Sequence, residues 1–307
     1  MTMFATSRKR LPRLLPPSWV GEWVVLAIAT LLLTACSFTK LAYMNAPLAY
    51  SNATPVLTYM AADYADLSGE QKEWVRERID KAMAWHRAQE LPEYRRFLED
   101  LLARADGPLT VEDARYVQRT VRARYHRALD YLAPDIADLL LQLDDEQVGQ
   151  LEKRFAKDNR KFLEESLDLT REERSRRSAD KYIEHIEEWV GGLTDAQRDL
   201  IYARVATFGS FPEDQLADRR YRQGAIVALA RTRPPRDRMV AELRRLLVDT
   251  DSWRRAEYRE KVRLRDERVF QMFADLGATI TPEQRAALRE RLRGFMRDVN
   301  ELTARND

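Results

Sequence analysis

From Leu67 onward, apolar residues recur at intervals of three and four, and no run alternating in twos reaches the length of a strand. That period buries one face of a helix and leaves the other in water, so it restricts the chain to an all-α fold. Val75, Ile79, Ala82/Met83 and His86 form one such stripe; Ala114, Val117, Val121, Tyr125, Ala128 and Leu132 form another. Ile201, Val205 and Phe208 give a third, and Leu288, Leu292, Phe295, Val299 and Leu302 a fourth. Breaks are expected at Asp106-Gly107-Pro108, Pro134, Gly191-Gly192, Phe208 to Pro212, Arg233-Pro234-Pro235 and Gly277. The result is an elongated multi-helix bundle of about ten helices, and a charged fraction of 33% with only ten glycines suits it. Gly191-Gly192 either divides two helical subdomains or ends a helix with a glycine in the left-handed conformation; the second reading is preferred.

A five-residue phrase marks the helix starts. It reads Leu67-Ser68-Gly69-Glu70-Gln71, Leu143-Asp144-Asp145-Glu146-Gln147, Leu193-Thr194-Asp195-Ala196-Gln197 and Ile280-Thr281-Pro282-Glu283-Gln284, with Leu169-Thr170-Arg171-Glu172-Glu173 as a close relative. Ser, Thr or Asp can cap the first free backbone N–H groups, and Gln or Glu three residues later can reach back to the cap's own N–H. Pro282 stands where proline is favoured, at the first helical position. Intervals of 76, 50 and 87 residues between the four glutamines exclude a solenoid. The phrase resembles the LTxxQ signature of small periplasmic stress chaperones, helical dimers that hold unfolded clients.

The N-terminus carries an export pattern. Arg8, Lys9, Arg10 and Arg13 precede an 11-residue apolar run, Trp23 to Leu33, and then Leu33-Thr34-Ala35-Cys36. The run falls short of the ~20 residues a spanning helix needs. The pattern resembles a lipobox, which implies cleavage between Ala35 and Cys36 and acylation of Cys36, with palmitate among the expected chains. The organisation that follows is a signal peptide over residues 1–35, a lipid anchor and membrane-proximal segment over 36–66, and a helical body over 67–307. Cys36 is the only cysteine, so no disulfide or thiolate metal cluster can form within one chain. Without residues 1–35 the chain carries 48 basic against 49 acidic residues, a balance that gives no reason to expect a nucleic-acid partner. No Gly/Ser or Pro-rich linker follows Cys36, which places the body near the lipid surface; Tyr43, Met44, Leu48 and Tyr50 either rest among headgroups or pack onto the body, the latter preferred.

The second informative stretch is Trp85-His86-Arg87-Ala88-Gln89-Glu90-Leu91-Pro92-Glu93-Tyr94. With Cys36-Ser37, Leu41-Ala42-Tyr43-Met44-Asn45 and Asp63-Tyr64-Ala65-Asp66-Leu67, it resembles a family of proteobacterial lipoproteins of unknown function. The resemblance implies an envelope location and a helical fold, and it lends no activity. Ser37 after the acylated cysteine, by resemblance to enterobacterial sorting, implies the periplasmic leaflet of the outer membrane. Read from the residues alone, Pro92 ends the helix that starts after Ser68 and can begin the next, while Arg87 and Glu90 lie three apart and can pair. Trp85, His86, Arg87, Glu90, Pro92 and Tyr94 are then either a buried polar hinge with His86 hydrogen-bonded inside, or a pocket in which His86 beside Glu90 acts as acid/base or binds a partner.

Other chemistry has no recognisable frame. His86, His126 and His185 stand 40 and 59 residues apart and share no metal-ligand spacing; no GxSxG elbow or phosphate-binding glycine loop is present. No metal, cofactor or catalytic residue is therefore assigned. Arg231-Thr232-Arg233-Pro234-Pro235-Arg236-Asp237-Arg238 reads as a solvated loop, with anionic headgroups as the alternative. The first expectation is a non-enzymatic, lipid-anchored protein facing the periplasm that binds or scaffolds an envelope protein, its oligomeric state open. An LTxxQ-type chaperone and a hydrolase of envelope polymers using a carboxylate pair stand as alternatives.

Overall fold

The computed structural model describes Tyr50 and residues 52–304. The signal region, Ala35, Cys36 and the element Leu41 to Asn45 lie outside the described residues. The helices are α1 (Ala53–Ala65), α2 (Gly69–Trp85), a π turn (His86–Glu90), α3 (Leu91–Arg104), α4 (Val111–Gln142), α5 (Asp145–Ser166) and α6 (Arg171–Val190). They continue as α7 (Asp195–Val205), α8 (Pro212–Thr232), α9 (Arg236–Leu247), a 3-10 turn (Thr250–Ser252), α10 (Ala256–Gly277) and α11 (Pro282–Ala304). The π turn joins α2 to α3 through helical backbone angles, so eleven α-helices among the described residues make ten rods. The fold is an elongated all-α bundle.

Each five-residue phrase starts a helix by the expected chemistry. Ser68, Asp144, Thr170 and Thr194 accept from the backbone three residues on, and the residue there accepts from the cap's own N–H. Thr281 and Gln284 exchange the same two bonds at α11, and Thr110 with Asp113 adds a box at α4 that the phrase does not contain. The four glutamines also meet in pairs. Gln71 Nε2 donates to Gln147 Oε1 at 3.0 Å and Gln147 Nε2 returns the bond at 2.6 Å. Gln197 and Gln284 exchange amide bonds of 2.9 Å in both directions. Each amide nitrogen also reaches the backbone carbonyl two residues before its partner's cap: Gln142, Asp66, Thr279 and Gly192 respectively. The chain thus contains two junctions of identical hydrogen-bond pattern, α2 with α5 and α7 with α11.

Each junction belongs to its own core. The first core gathers Leu57 of α1, Val75 and Ile79 of α2, the Leu129–Leu140 half of α4, Val148 of α5, Ile226 of α8 and Leu243 of α9. The second gathers Ile183 and Ile186 of α6, Ile201 of α7 and Met272 of α10, and Leu288 continues it to Leu98 of α3 and Leu292 of α11. Two long elements span both. The α2–π–α3 rod runs from the first core to α11, and α4, 32 residues and so about 48 Å long, packs on α9 with one end and on α10 with the other. Since α1 is built into the first core, the helical body begins upstream of Leu67.

Several local expectations are corrected. A break at Pro134 is absent, because α4 continues through it. Proline removes the N–H that would bond the Asp130 carbonyl; Arg244 Nη2 reaches that carbonyl at 3.4 Å, and its Nε lies 3.3 Å from the Asp130 carboxylate. Val121, placed on a buried stripe, is 47% exposed, and no residue from Val111 to Arg127 of α4 is fully buried. The basic stretch is exposed as expected, and its arginines also carry partners: Arg231 pairs with Glu152, Arg233 with Asp145 and the Leu143 carbonyl, and Arg236 with Asp138. Those bonds latch the α8–α9 connection onto α4 and α5. Gly191 does end α6, but with φ 80° and ψ −164° it lies outside the left-handed helical region, and Val190 and Leu193 on either side share the second core.

Candidate functional site

The expected cluster folds into the π turn. Its ladder shifts to i→i−5 bonding, the Leu91 N–H reaching the His86 carbonyl. Pro92 causes the shift: an α turn would drive its ring into the Ala88 carbonyl, and the wider turn makes room. Pro92 therefore does not end the rod but sits second in α3. The widened turn also separates residues three apart, so the expected Arg87–Glu90 pair is replaced by other partners.

Glu90 is fully buried and His86 is 2% exposed. Glu90 Oε1 lies 2.9 Å from Arg127 Nε, and Oε2 lies 3.6 Å from Arg124 Nη1. Arg124 reaches on to Glu93 at 3.5 Å. His86 Nδ1 and the Tyr50 hydroxyl share a 2.9 Å hydrogen bond, and the same hydroxyl donates to the Met83 carbonyl at 3.3 Å. Arg87 stands 5.5 Å above the Tyr50 ring, and Tyr94 meets the imidazole edge-on with centroids 5.4 Å apart. Trp85 stacks on Tyr131 of α4 at 4.1 Å. All six predicted residues thus lie in or beside the π turn, with His86, Arg87 and Glu90 inside it, Trp85 before it and Pro92 and Tyr94 after it. Tyr50 packs onto the body as preferred, though its bond to His86 was not foreseen; Arg124, Arg127 and Tyr131 were not foreseen, although they share one face of α4 by their three- and four-residue spacing.

Electrostatics follow burial. The Tyr50 hydroxyl is pushed up to about 12 by desolvation, against the pull of Arg87. Tyr94 is raised by burial and by the Glu90 charge. Burial also lifts the Glu90 carboxyl, outweighing the opposing Arg124 and Arg127, and Glu93 adds to the rise. A carboxyl raised in the folded state holds its proton where the unfolded chain has lost it, so its contribution to stability falls as pH rises from the ordinary Glu range through the folded value. As pH rises from about 4.5, wild-type protein should therefore lose thermal stability relative to Glu90→Gln, checked by melting both at steps from that pH upward. Parallel curves would show that Glu90 does not titrate there.

The cluster fastens three elements: the residue leading into α1, the α2–α3 rod and α4. Its polar groups point inward. A groove of about 500 Å³ along α6 and α7 is lined instead by residues such as Asp180, Glu184, Glu187 and Arg198, and a depression of about 380 Å³ between α1 and α5 by Asp63, Lys153 and Lys157. A further buried polar group lies on α8, where Asp218 meets Arg254 at 2.5 Å and Arg219 and Gln223 bond Asn159 of α5. Among the described residues no group of His, Cys, Asp and Glu is arranged to hold a metal ion, and no helix is long and apolar enough to cross a membrane.

Residues 63–259 match the model of a family of unknown function, DUF6279. The chain belongs to this family. The region typical of DUF6279 holds the π turn with Glu90, Arg124 and Arg127, and the first glutamine pair. Tyr50 and Gln284 fall outside it, so the DUF6279 region contains only one member of the Tyr50–His86 bond and of the Gln197–Gln284 pair. No curated protein and no solved structure matches the chain.

Proposed function

We propose that this chain is a lipoprotein of the cell envelope, anchored through Cys36 on the periplasmic leaflet of the outer membrane, and that its helical body binds or scaffolds an envelope protein without turning over a substrate. The observation that carries the reading is the clamp at the π turn. Tyr50, fourteen residues beyond Cys36, is bonded to the buried His86, so a lipid on Cys36 would keep that end of the body within about 50 Å of the membrane. A histidine and a carboxylate, the pair most suited to acid/base work, are spent on fastening helices, which supports a scaffold over a hydrolase. Large apolar side chains exposed among the described residues stand singly or in twos, such as Val121, Tyr202 and Tyr221, which supports a defined partner over a broad client-holding surface.

Fractionation of cells expressing Cys36→Ser tests the anchor. The variant should leave the membrane or accumulate as uncut precursor. Retention in the membrane as a chain of mature size would contradict the proposal.

A further inference from the structure

The flank between α1 and α5 differs from the rest of the surface in the cations it uses. Of nine lysines in the chain, three fall on α5 at four-residue intervals, Lys153, Lys157 and Lys161, in one row with Arg160. Elsewhere the chain relies on arginine, often paired with a defined carboxylate and in places forked onto it, as Arg236 is onto Asp138 and Arg263 onto Glu260. Lys153 and Lys157 make no ion pair among the described residues. Beside them, on α1, Tyr59 is 73% exposed and Val56 45%. Tyr59, Ala62, Asp63 and Asp66 share a helix face by spacing, and the last three line a depression of about 380 Å³ together with Lys153 and Lys157. Arg154 holds Asp63 at 2.9 Å, Lys161 lies 3.8 Å from Glu165 and Glu164 follows Arg160 by one turn, which leaves Asp66 as the remaining carboxylate in the depression beside Lys153 and Lys157.

We infer that this face rests on the surface of an anionic phospholipid bilayer, with Tyr59 and Val56 at headgroup level and Lys153 and Lys157 on the lipid phosphates. A tyrosine ring with a polar tip suits that boundary, and a lysine is a mobile point charge on a long apolar stem, matched to a crowd of headgroups rather than to one forked partner. The position agrees. Among the described residues α1 is the helix nearest in sequence to the proposed anchor, and the thirteen residues between Cys36 and Tyr50 reach at most about 50 Å. The inference deepens the lipoprotein reading, which supplies the membrane, while the contact itself requires no acyl chain.

Two measurements test it. In the first, acylated full-length protein carrying Tyr59→Cys is spin-labelled and reconstituted in phosphatidylcholine vesicles with about a third phosphatidylglycerol. The label should sit at headgroup depth, shielded from a water-soluble relaxant, whereas one at Arg293→Cys on exposed α11 stays in water. Equal accessibility at both positions overturns the inference. In the second, the chain from residue 36 carrying Cys36→Ser is floated with the same vesicles and with pure phosphatidylcholine. It should bind only the anionic vesicles, and Lys153→Glu with Lys157→Glu should weaken that binding by at least roughly 25-fold at unchanged melting temperature. Binding that ignores either vesicle charge or the lysines overturns it. Failure of acylation leaves this second measurement intact, so the two readings can fail separately.

Discussion

Gln284→Ala should destabilise the protein by about 3 kcal/mol, a fall in melting temperature of roughly 6–12 °C for a body of this size. Gln284 is 6% exposed and its partner Gln197 only 2%. Truncation strands the Thr281 N–H, the Gly192 carbonyl and one side of the Gln197 amide, in a place that water reaches poorly. Gln197→Ala should cost as much. The double variant should cost clearly less than their sum, with a coupling of about 1–3 kcal/mol, because the second truncation removes a group already orphaned. Gln284→Glu is expected to be no milder: it preserves the cap bond but loses the donor and sets a carboxylate oxygen against Gln197 Oε1. At the other junction Gln71 is partly exposed, so Gln71→Ala should cost only about 1–2 kcal/mol. Strict additivity of the Gln197 and Gln284 variants, by denaturant or thermal unfolding, would dissolve the junction as a unit.

Tyr50→Ala should cost about 2–3 kcal/mol and loosen the segment that leads to the anchor. The loss combines a half-buried ring, its cation contact with Arg87 and the hydroxyl bond to His86. Tyr50→Phe isolates the hydroxyl and should cost about 1–2 kcal/mol, since His86 lies almost wholly out of water. In a His86→Ala background the phenylalanine change should add little, because the bond is already gone. Limited proteolysis gives a second readout: cleavage ahead of α1 should quicken in Tyr50→Ala at temperatures where the rest of the body stays folded. An unchanged digestion pattern and an unchanged melting temperature would remove the clamp from the account.

The helix starts were legible because capping chemistry is local. A cap and the residue three beyond it form a closed unit, and every phrase singled out in the sequence does start a helix. What the sequence concealed is that four of those phrases pair across 76 and 87 residues. A trace of it is present in the residue type. Glu173, which has no amide partner, is an exposed glutamate, whereas the four paired positions are all glutamine. Only an amide offers the acceptor its own cap needs and the donor its partner needs. Prolines misled for the same reason of distance. Pro134 reads as a break until Arg244, from α9, meets the carbonyl it leaves open. Pro92 reads as a helix end until one widened turn absorbs its ring. At the site, the six residues in and around the π turn were found together, but the cations that hold Glu90 come from α4, whose face reads in the sequence as ordinary solvated charge.

The most direct test of the account is the intact mass of the protein extracted from its own membranes. The account predicts a chain that begins at Cys36, lacks residues 1–35 and carries a thioether-linked diacylglycerol and an amide-linked acyl chain on that residue. A mass matching all 307 residues, or a shortened chain with an unmodified Cys36 thiol, would contradict it.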